Sequence, residues 1–297
     1  MKKIKGSGYA DNVSGWLSVL PVIVLELLIF AYPVFTIVTK SFTNWDGLFR
    51  NDFVGLRNYL RIIQDGDFWL MLQNTGILLV TIPLHAIIGV IIAVQLNERI
   101  RGWKFFRFVY YLPSIVSMLT VGYLFRVFFS YTGPLNRILQ FMGLDFLALE
   151  WLGIRPAALG VVVLCLLWSN LGWQVLIIFG GLTAIHTSIF EAAIMDGAGY
   201  WRRLFKIVFP LLLRTIEYSI IMTMLWIFTG VFPLILSLTG GGPGYGTTTL
   251  DYMIYKKGFT GTQLGQACTL AVVLLIIILI ITKLQMVMAD NLDDWGE

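Results

Sequence analysis

The sequence predicts an all-α integral membrane protein with six transmembrane helices, and three observations carry that expectation. Of 297 residues, 58% are hydrophobic and 13% charged, against roughly a quarter charged in an ordinary soluble domain. The mean hydropathy is +0.81. The 21 Lys and Arg with 17 Asp and Glu are too few to cover a soluble fold of this size, so lipid must cover much of the surface. Finally, the chain contains six mostly apolar stretches of the length that crosses roughly 30 Å of hydrocarbon as a helix, about 20 residues.

The first stretch runs from Trp16 to Thr39 and holds one acid, Glu26. Lys2, Lys3 and Lys5 precede it as in a secretory signal, yet the run is too long for one and no small-residue cleavage site stands before Lys40. The second, Phe68 to Leu96, has no Lys, Arg, Asp or Glu, and the third, Phe105 to Phe129, carries Arg107 near its start and Arg126 near its end. The fourth covers Ala157 to Leu182, the fifth Pro210 to Leu238 and the sixth Gln266 to Met288. Pro83 and Pro113 are tolerated inside such helices because neighbours satisfy the freed carbonyls. Cys165 and Cys268 both lie in apolar runs and read as small buried hydrophobes, not as a disulfide or metal site. One membrane domain over 16–288 is expected, between a cytoplasmic tail at 1–15 and another at 289–297.

Orientation follows from basic residues in short loops. With the N-terminus cytoplasmic, Lys2, Lys3, Lys5, Arg99, Arg101, Lys104, Arg107, Arg202, Arg203, Lys206 and Arg214 all fall inside, and six crossings return the C-terminus to the same side. Lys40, Arg50, Arg57, Arg61, Arg137, Arg155, Lys256 and Lys257 then fall outside, spread over longer segments balanced by acids. The acidic tail, Asp290, Asp293, Asp294 and Glu297, does not oppose this, since acids barely count. The net charge of +4 is scattered along the chain, which gives no footprint for nucleic acid.

Between the fourth and fifth spans, Ile189 to Leu213 reads IFEAAIMDGAGYWRRLFKIVFPLLL. Glu191, Ala192 and Ala193 belong to a short helix whose small residues admit a close backbone. Asp196, Gly197 and Gly199 break it, since Gly accepts positive φ and Asp can cap the helix that follows. In that helix Trp201, Leu204, Phe205 and Val208 share one face, with Arg202, Arg203 and Lys206 opposite. Pro210 suits the first turn of the next span. On these grounds alone, a basic amphipathic linker resting on anionic headgroups would read the same way.

The spacing adds to this. Glu-Ala-Ala, three residues, Gly197, nine residues, Ile207, one residue, Phe209-Pro210 resembles the EAA motif of ABC importer permeases. The family usually has Leu in place of Phe209 and Ile-Pro in place of Ile185-His186. YLPSIVS at Tyr111 to Ser117 and LTGGGPGYGTTTLDYMIYKKGF at Leu238 to Phe259 are similar to sugar permeases of the maltose and glycerol-phosphate type. The Gly240 to Pro243 turn is no nucleotide cradle, because no Walker lysine follows.

The resemblance implies the core of a type I ABC importer permease, with 183–209 as a cytoplasmic coupling loop. Glu191, Ala192, Ala193, Asp196, Gly197, Ala198 and Gly199 would dock on an ATPase. It implies a paralogous second permease, two ATPase subunits that bind ATP and Mg, and an extracytoplasmic solute-binding protein. No cofactor or metal is expected in this chain. The cargo would be a sugar, an oligosaccharide by preference.

Polar groups at membrane depth are costly and face a cavity or another helix. In the fourth span Trp168, Ser169, Asn170, Trp173 and Gln174 cluster near the middle, and in the fifth Thr223, Trp226 and Thr229 fall on overlapping turns. An indole beside an amide offers a sugar both a stacking face and hydrogen bonds. Matching to the resembled permeases places the sugar path at Ser169, Asn170, Trp173, Thr223, Trp226 and Gly230, residues that would equally serve as helix packing. Glu26, Glu217, His85 and Arg126 are the groups an ion-coupled secondary transporter of a polar solute would need. Arg126 and Glu217 lie near span ends where they snorkel, and Glu26 and His85 read as interhelical hydrogen-bond partners. No HExxH, Cys-x-x-Cys or nucleophile elbow points to catalysis.

Overall fold

A computed structural model describes residues 8–97 and 101–293, with side chains over 16–97 and 101–287. Lys2, Lys3, Lys5, Arg99, Asp294 and Glu297, which bear on orientation, lie outside the described residues. Regular structure among the described residues is helical, apart from an isolated bridge between Thr43 and Phe53.

In chain order the helices are α1 (Trp16–Lys40), α2 (Arg57–Gln64), α3 (Gly66–Asn97), α4 (Trp103–Ile115), α5 (Met118–Phe128), α6 (Pro134–Phe141), α7 (Arg155–Thr183), α8 (Thr187–Met195), α9 (Tyr200–Leu211), α10 (Leu213–Thr229), α11 (Phe232–Leu238), α12 (Leu250–Tyr255) and α13 (Leu264–Asp293). Four of them, α1, α3, α7 and α13, are long and apolar enough to cross a membrane unaided. They follow the first, second, fourth and sixth apolar stretches to within a few residues, because bilayer thickness fixes helix length.

The third and fifth stretches depart from straight spans. α4 and α5 meet at 96° and α9 and α10 at 70°. At the first bend, Pro113 opens a 3-10 turn over Leu112–Ile115, and Val116 and Ser117 take extended ψ values of 132° and 135°. Proline removes an N–H from the ladder and favours such a break. The expected helix Pro210 to Leu238 is in three pieces: Pro210 lies in α9, α10 ends on Gly230, and Pro233 opens α11 separately. α3 loosens more gently. Its Leu79 carbonyl, freed by Pro83, is taken by the Ile82 N–H at 3.0 Å.

Two details of the α8–α9 segment also depart from expectation. Asp196 ends α8 but does not cap α9, whose first turn follows Gly199 without a side-chain cap. Leu204 and Val208 are buried, whereas Trp201 and Phe205 stack on each other at 6.0 Å and stay 61% and 62% exposed. The wide π winding over Leu204–Val208 holds more residues per turn than an α-helix, which separates the two pairs.

Three buried clusters hold the bundle. Val90, Ile178, Leu204 and Leu212 join α3, α7 and α9. Leu166, Ile227 and Ile235 join α7, α10 and α11. Phe68, Met224, Leu250 and Leu270 join α3, α10, α12 and α13. α1 has no share in these clusters and is exposed from Trp16 to Phe35. Lipid supplies no hydrophobic drive between helices, so close contact between small residues matters more than in water. Gly122 of α5 is the tightest case: a Cβ there would fall on the Ser237 hydroxyl of α11 and 3.1 Å from the Leu234 carbonyl.

The Gly240–Thr249 loop folds on its own polar groups. Asp251, buried, accepts the N–H groups of Val231 at 3.0 Å and Phe232 at 2.7 Å and so caps α11; it also accepts from Tyr252 N–H and the Thr249 hydroxyl. Burial pushes the Asp251 carboxyl up from its ordinary range, against the pull of those hydrogen bonds. Asn74 of α3 donates to the carbonyls of Tyr245 and Thr248, both at 2.9 Å, and Arg155 at the start of α7 donates to Asn74 at 3.0 Å. α3, α7 and the loop are thereby tied through one amide.

Candidate functional site

A cavity of about 330 Å³ lies among α3, α4, α7 and α10. Its wall is His85 from α3, Tyr111 and Ser114 from α4, Asn170, Trp173 and Gln174 from α7, and Met222, Thr223 and Trp226 from α10. Ser114 reaches this wall because it sits in the 3-10 turn opened by Pro113, where its hydroxyl accepts the Trp173 N–H at 3.2 Å.

Four of the residues expected on a sugar path, Asn170, Trp173, Thr223 and Trp226, come together here. Two do not. Ser169 is buried, and its hydroxyl returns to the Cys165 carbonyl at 2.7 Å within its own helix, because one residue's step from Asn170 turns it away from the cavity. Gly230 ends α10, its N–H bonding the Trp226 carbonyl at 2.7 Å. A Cβ on Gly230 would approach the Trp226 indole nitrogen to 2.8 Å, so its part is to leave room for the ring. Trp168 packs on Phe125 at 5.4 Å, away from the cavity.

The wall is uncharged and mostly apolar in area, and it carries an imidazole, two amides, three hydroxyls, two indoles and a thioether, with no Lys, Arg, Asp or Glu. Gln174 is oriented by the bond from its Nε2 to Ser219 Oγ at 2.8 Å, and the Thr223 hydroxyl donates to the Ser219 carbonyl at 2.7 Å. His85 packs between α3 and α7. It is 1% exposed, and neither ring nitrogen makes a bond of good geometry, although the backbone of Leu166 and Leu167 on α7 and of Thr81 on its own helix lies beside the ring. Tyr111, Ser114 and Met222 escape a reading of the sequence because they sit on other helices. The available signal was His85 itself, the one ionisable side chain in an otherwise chargeless stretch.

Glu191, Ala192, Ala193, Asp196, Gly197, Ala198 and Gly199 occupy the end of α8 and the turn into α9. Ala193 is buried, whereas Glu191, Ala192, Ile194, Met195, Asp196 and Gly197 are exposed, Met195 at 86%. Gly197 has φ +72° and nothing within 4 Å of a built Cβ. Among the described residues, no cluster of His, Cys, Asp or Glu is arranged to hold a metal.

A family described as the binding-protein-dependent transport system inner membrane component matches residues 85–294. The chain belongs to this family. Its members are membrane components of ABC transporters, and relatives include sugar permeases. The multiple sugar-binding transport system permease protein MsmF of Streptococcus mutans is 34% identical over 281 residues, spanning 94% of this chain and 96% of its own. The sn-glycerol-3-phosphate transport system permease protein UgpA of Agrobacterium fabrum is 30% identical over 280 residues, spanning 93% and 94%. The fold matches that of a bacterial ABC transporter involved in the import of the acidic polysaccharide alginate, with a TM-score of 0.84, 22% identity and coverage of 95% and 98%. A second match with the same TM-score and 20% identity, covering 97% and 98%, is to an alginate transporter in complex with a periplasmic protein bound to alginate pentasaccharide. The chain is therefore a multi-pass sugar-permease-family protein of an ABC transporter.

Proposed function

We propose that this permease carries a sugar, by preference an oligosaccharide, across the cell membrane after delivery by an extracytoplasmic binding protein. A paralogous permease completes the path, since one cavity bounded by a few helices of this chain forms only part of a gated route. Two ATPase subunits, which bind the ATP and Mg, drive the cycle from the α8–α9 turn, within a membrane domain of 16–288 and a coupling loop of 183–209. The observation that carries this reading is the meeting of two indoles and an amide, Trp173, Trp226 and Asn170, in one uncharged cavity: ring faces for C–H surfaces and hydrogen bonds for hydroxyls. The ion-coupled alternative draws no support, because Glu26, Arg126 and Glu217 do not join His85 on the cavity wall.

Uptake by assembled complexes supplied with saturated binding protein tests it. A ring contact contributes about 1 kcal/mol or more, so Trp226→Ala should slow uptake roughly tenfold and Trp226→Phe less, with assembly unchanged. Normal uptake in both Trp173→Ala and Trp226→Ala would reduce these rings to packing. For orientation, N-terminus and C-terminus inside, single cysteines at exposed Lys256 and Arg202 in a background without Cys165 and Cys268 should differ. An impermeant thiol reagent should label 256 from outside intact cells and leave 202 untouched; the reverse pattern would invert the topology.

A further inference from the structure

A polar recess of about 260 Å³ opens at the end of the bundle where α1 stops at Lys40 and α2, α3 and α13 begin. α7 starts at the same end, its Arg155 donating to Asn74 of α3, so the α8–α9 turn lies at the other. Close packing fixes the floor. A Cβ on Gly265 of α13 would fall on the Thr43 carbonyl, and the Gly265 N–H donates to the Trp45 carbonyl at 2.8 Å. Buried Asn58 of α2 donates to the carbonyls of Ser41 at 3.0 Å and Thr43 at 2.9 Å. Around this floor stand Arg50, Arg57 and Arg61, exposed and, among the described residues, without an ion pair or a side-chain hydrogen bond. A fourth cation adds donors through its neighbours: Lys257 Nζ donates to Gln263 Oε1 at 3.1 Å and to Gln266 Oε1 at 2.8 Å. An ammonium only donates, so both amide oxygens face it, and the NH₂ groups are what these two glutamines offer the recess they line. Beside them Thr262 keeps φ +48°, the one left-handed non-glycine residue among the described residues, a strain that the surrounding packing has to hold. The single acid on the wall, Asp46, already takes the N–H groups of Leu48, Phe49 and Arg50 on one oxygen. Asp65, near Lys257, accepts the Asp67 N–H at the head of α3. What remains is a concentration of donors suited to an anion with several acceptor oxygens.

Depth narrows the choice of anion. Span ends lie at headgroup level, where Trp concentrates, and Trp45 on the wall and exposed Trp69 in the first turn of α3 stand there. On α2, Leu60 and Ile63 are exposed beside Arg57 and Arg61, apolar surface that a soluble anion would leave in water and acyl chains would cover.

We propose that this recess binds an anionic phospholipid, with its phosphate among Arg50, Arg57 and Arg61 and its acyl chains laid on Leu60 and Ile63. The test uses the permease purified with its co-assembled subunits in a neutral detergent. Native mass spectrometry counts bound lipid during titration with dioleoylphosphatidylglycerol, in competition with dioleoylphosphatidylcholine or inorganic phosphate. Wild-type complexes should prefer the anionic lipid about tenfold, and Arg57→Gln with Arg61→Gln should remove that preference. Taking two cations from the same end outside the recess, Arg137→Gln with Lys256→Gln, should leave it nearly unchanged, because exposed charges at a distance are screened. Gln263→Ala with Gln266→Ala keeps every charge and should weaken binding severalfold; it carries the test should the arginine pair fail to assemble. Unchanged binding in the arginine pair, or in the glutamine pair where only that one assembles, would overturn the proposal. So would an equal loss in the Arg137 and Lys256 pair, equal binding of phosphatidylcholine, or displacement of the lipid by inorganic phosphate at similar concentration, which would make this a site for a soluble anion.

Discussion

Replacing Gly197 by Val should cut sugar uptake at least tenfold while the complex still assembles in the membrane. Gly197 holds φ +72° between α8 and α9, a region that costs an L-residue roughly 1–2 kcal/mol and a β-branched one more. Nothing lies within 4 Å of a Cβ built there, so crowding within this chain plays no part and the strain on the turn comes from the backbone. The turn is set by two bonds, Gly197 N–H to the Ile194 carbonyl at 3.0 Å and Ala198 N–H to the Ala193 carbonyl at 2.9 Å. If the turn relaxes, exposed Glu191, Ala192 and Met195 would be presented at a different angle to the ATPase proposed to dock there. Asn tolerates left-handed backbone better than Val does, so Gly197→Asn should retain much of the activity. Sugar-stimulated ATP hydrolysis and uptake in the Val variant, measured together, decide the matter. Wild-type values for both would remove this turn from coupling.

Asp251→Ala should destabilise the fold by about 3 kcal/mol, because buried N–H donors at the head of α11 would lose a charged acceptor. Asp251→Asn should be nearly as harmful. Both carboxylate oxygens accept, one from Val231 and Phe232, the other from Thr249 and Tyr252, so either orientation of an amide points its NH₂ at donors. Thermal unfolding of the purified complex reads the loss. An Asn variant with unchanged melting would mean that these donors find other acceptors, and the capping role would fail.

The spanning helices are legible in the sequence because a bilayer demands length and apolar composition together, and α1, α3, α7 and α13 meet that demand without help. The bends are not. Pro83 and Pro113 look alike in an apolar run, yet the first only loosens α3 while the second sits at a 96° break. What differs is the tertiary setting, since Val116 and Ser117 extend where α5 turns to pack on α11. The same limit governs the cavity. Asn170, Trp173, Thr223 and Trp226 stand out as polar or amphipathic groups at depth, but only the packed helices tell that Ser169 turns inward to its own carbonyls and that Tyr111 and Ser114 join from α4. Depth suffers likewise. Counting from Pro210 puts Trp226 about 24 Å along a helix, whereas α10 begins at Leu213 after a 70° bend, which shortens the rise to about 20 Å.

The contact at Gly122 has a mechanical side. A hydrogen atom fills the place where any other residue has carbon, and the Ser237 hydroxyl occupies the remaining space, so α5 has no clearance to slide along α11. The two short helices should therefore move as one piece. That piece is hinged to α4 through Val116 and Ser117 and to α10 through Gly230, and those two helices carry Tyr111 and Ser114 on one wall of the cavity and Trp226 on another. A rotation at one hinge should therefore be felt at the other, and Tyr111 and Ser114 should shift together with Trp226.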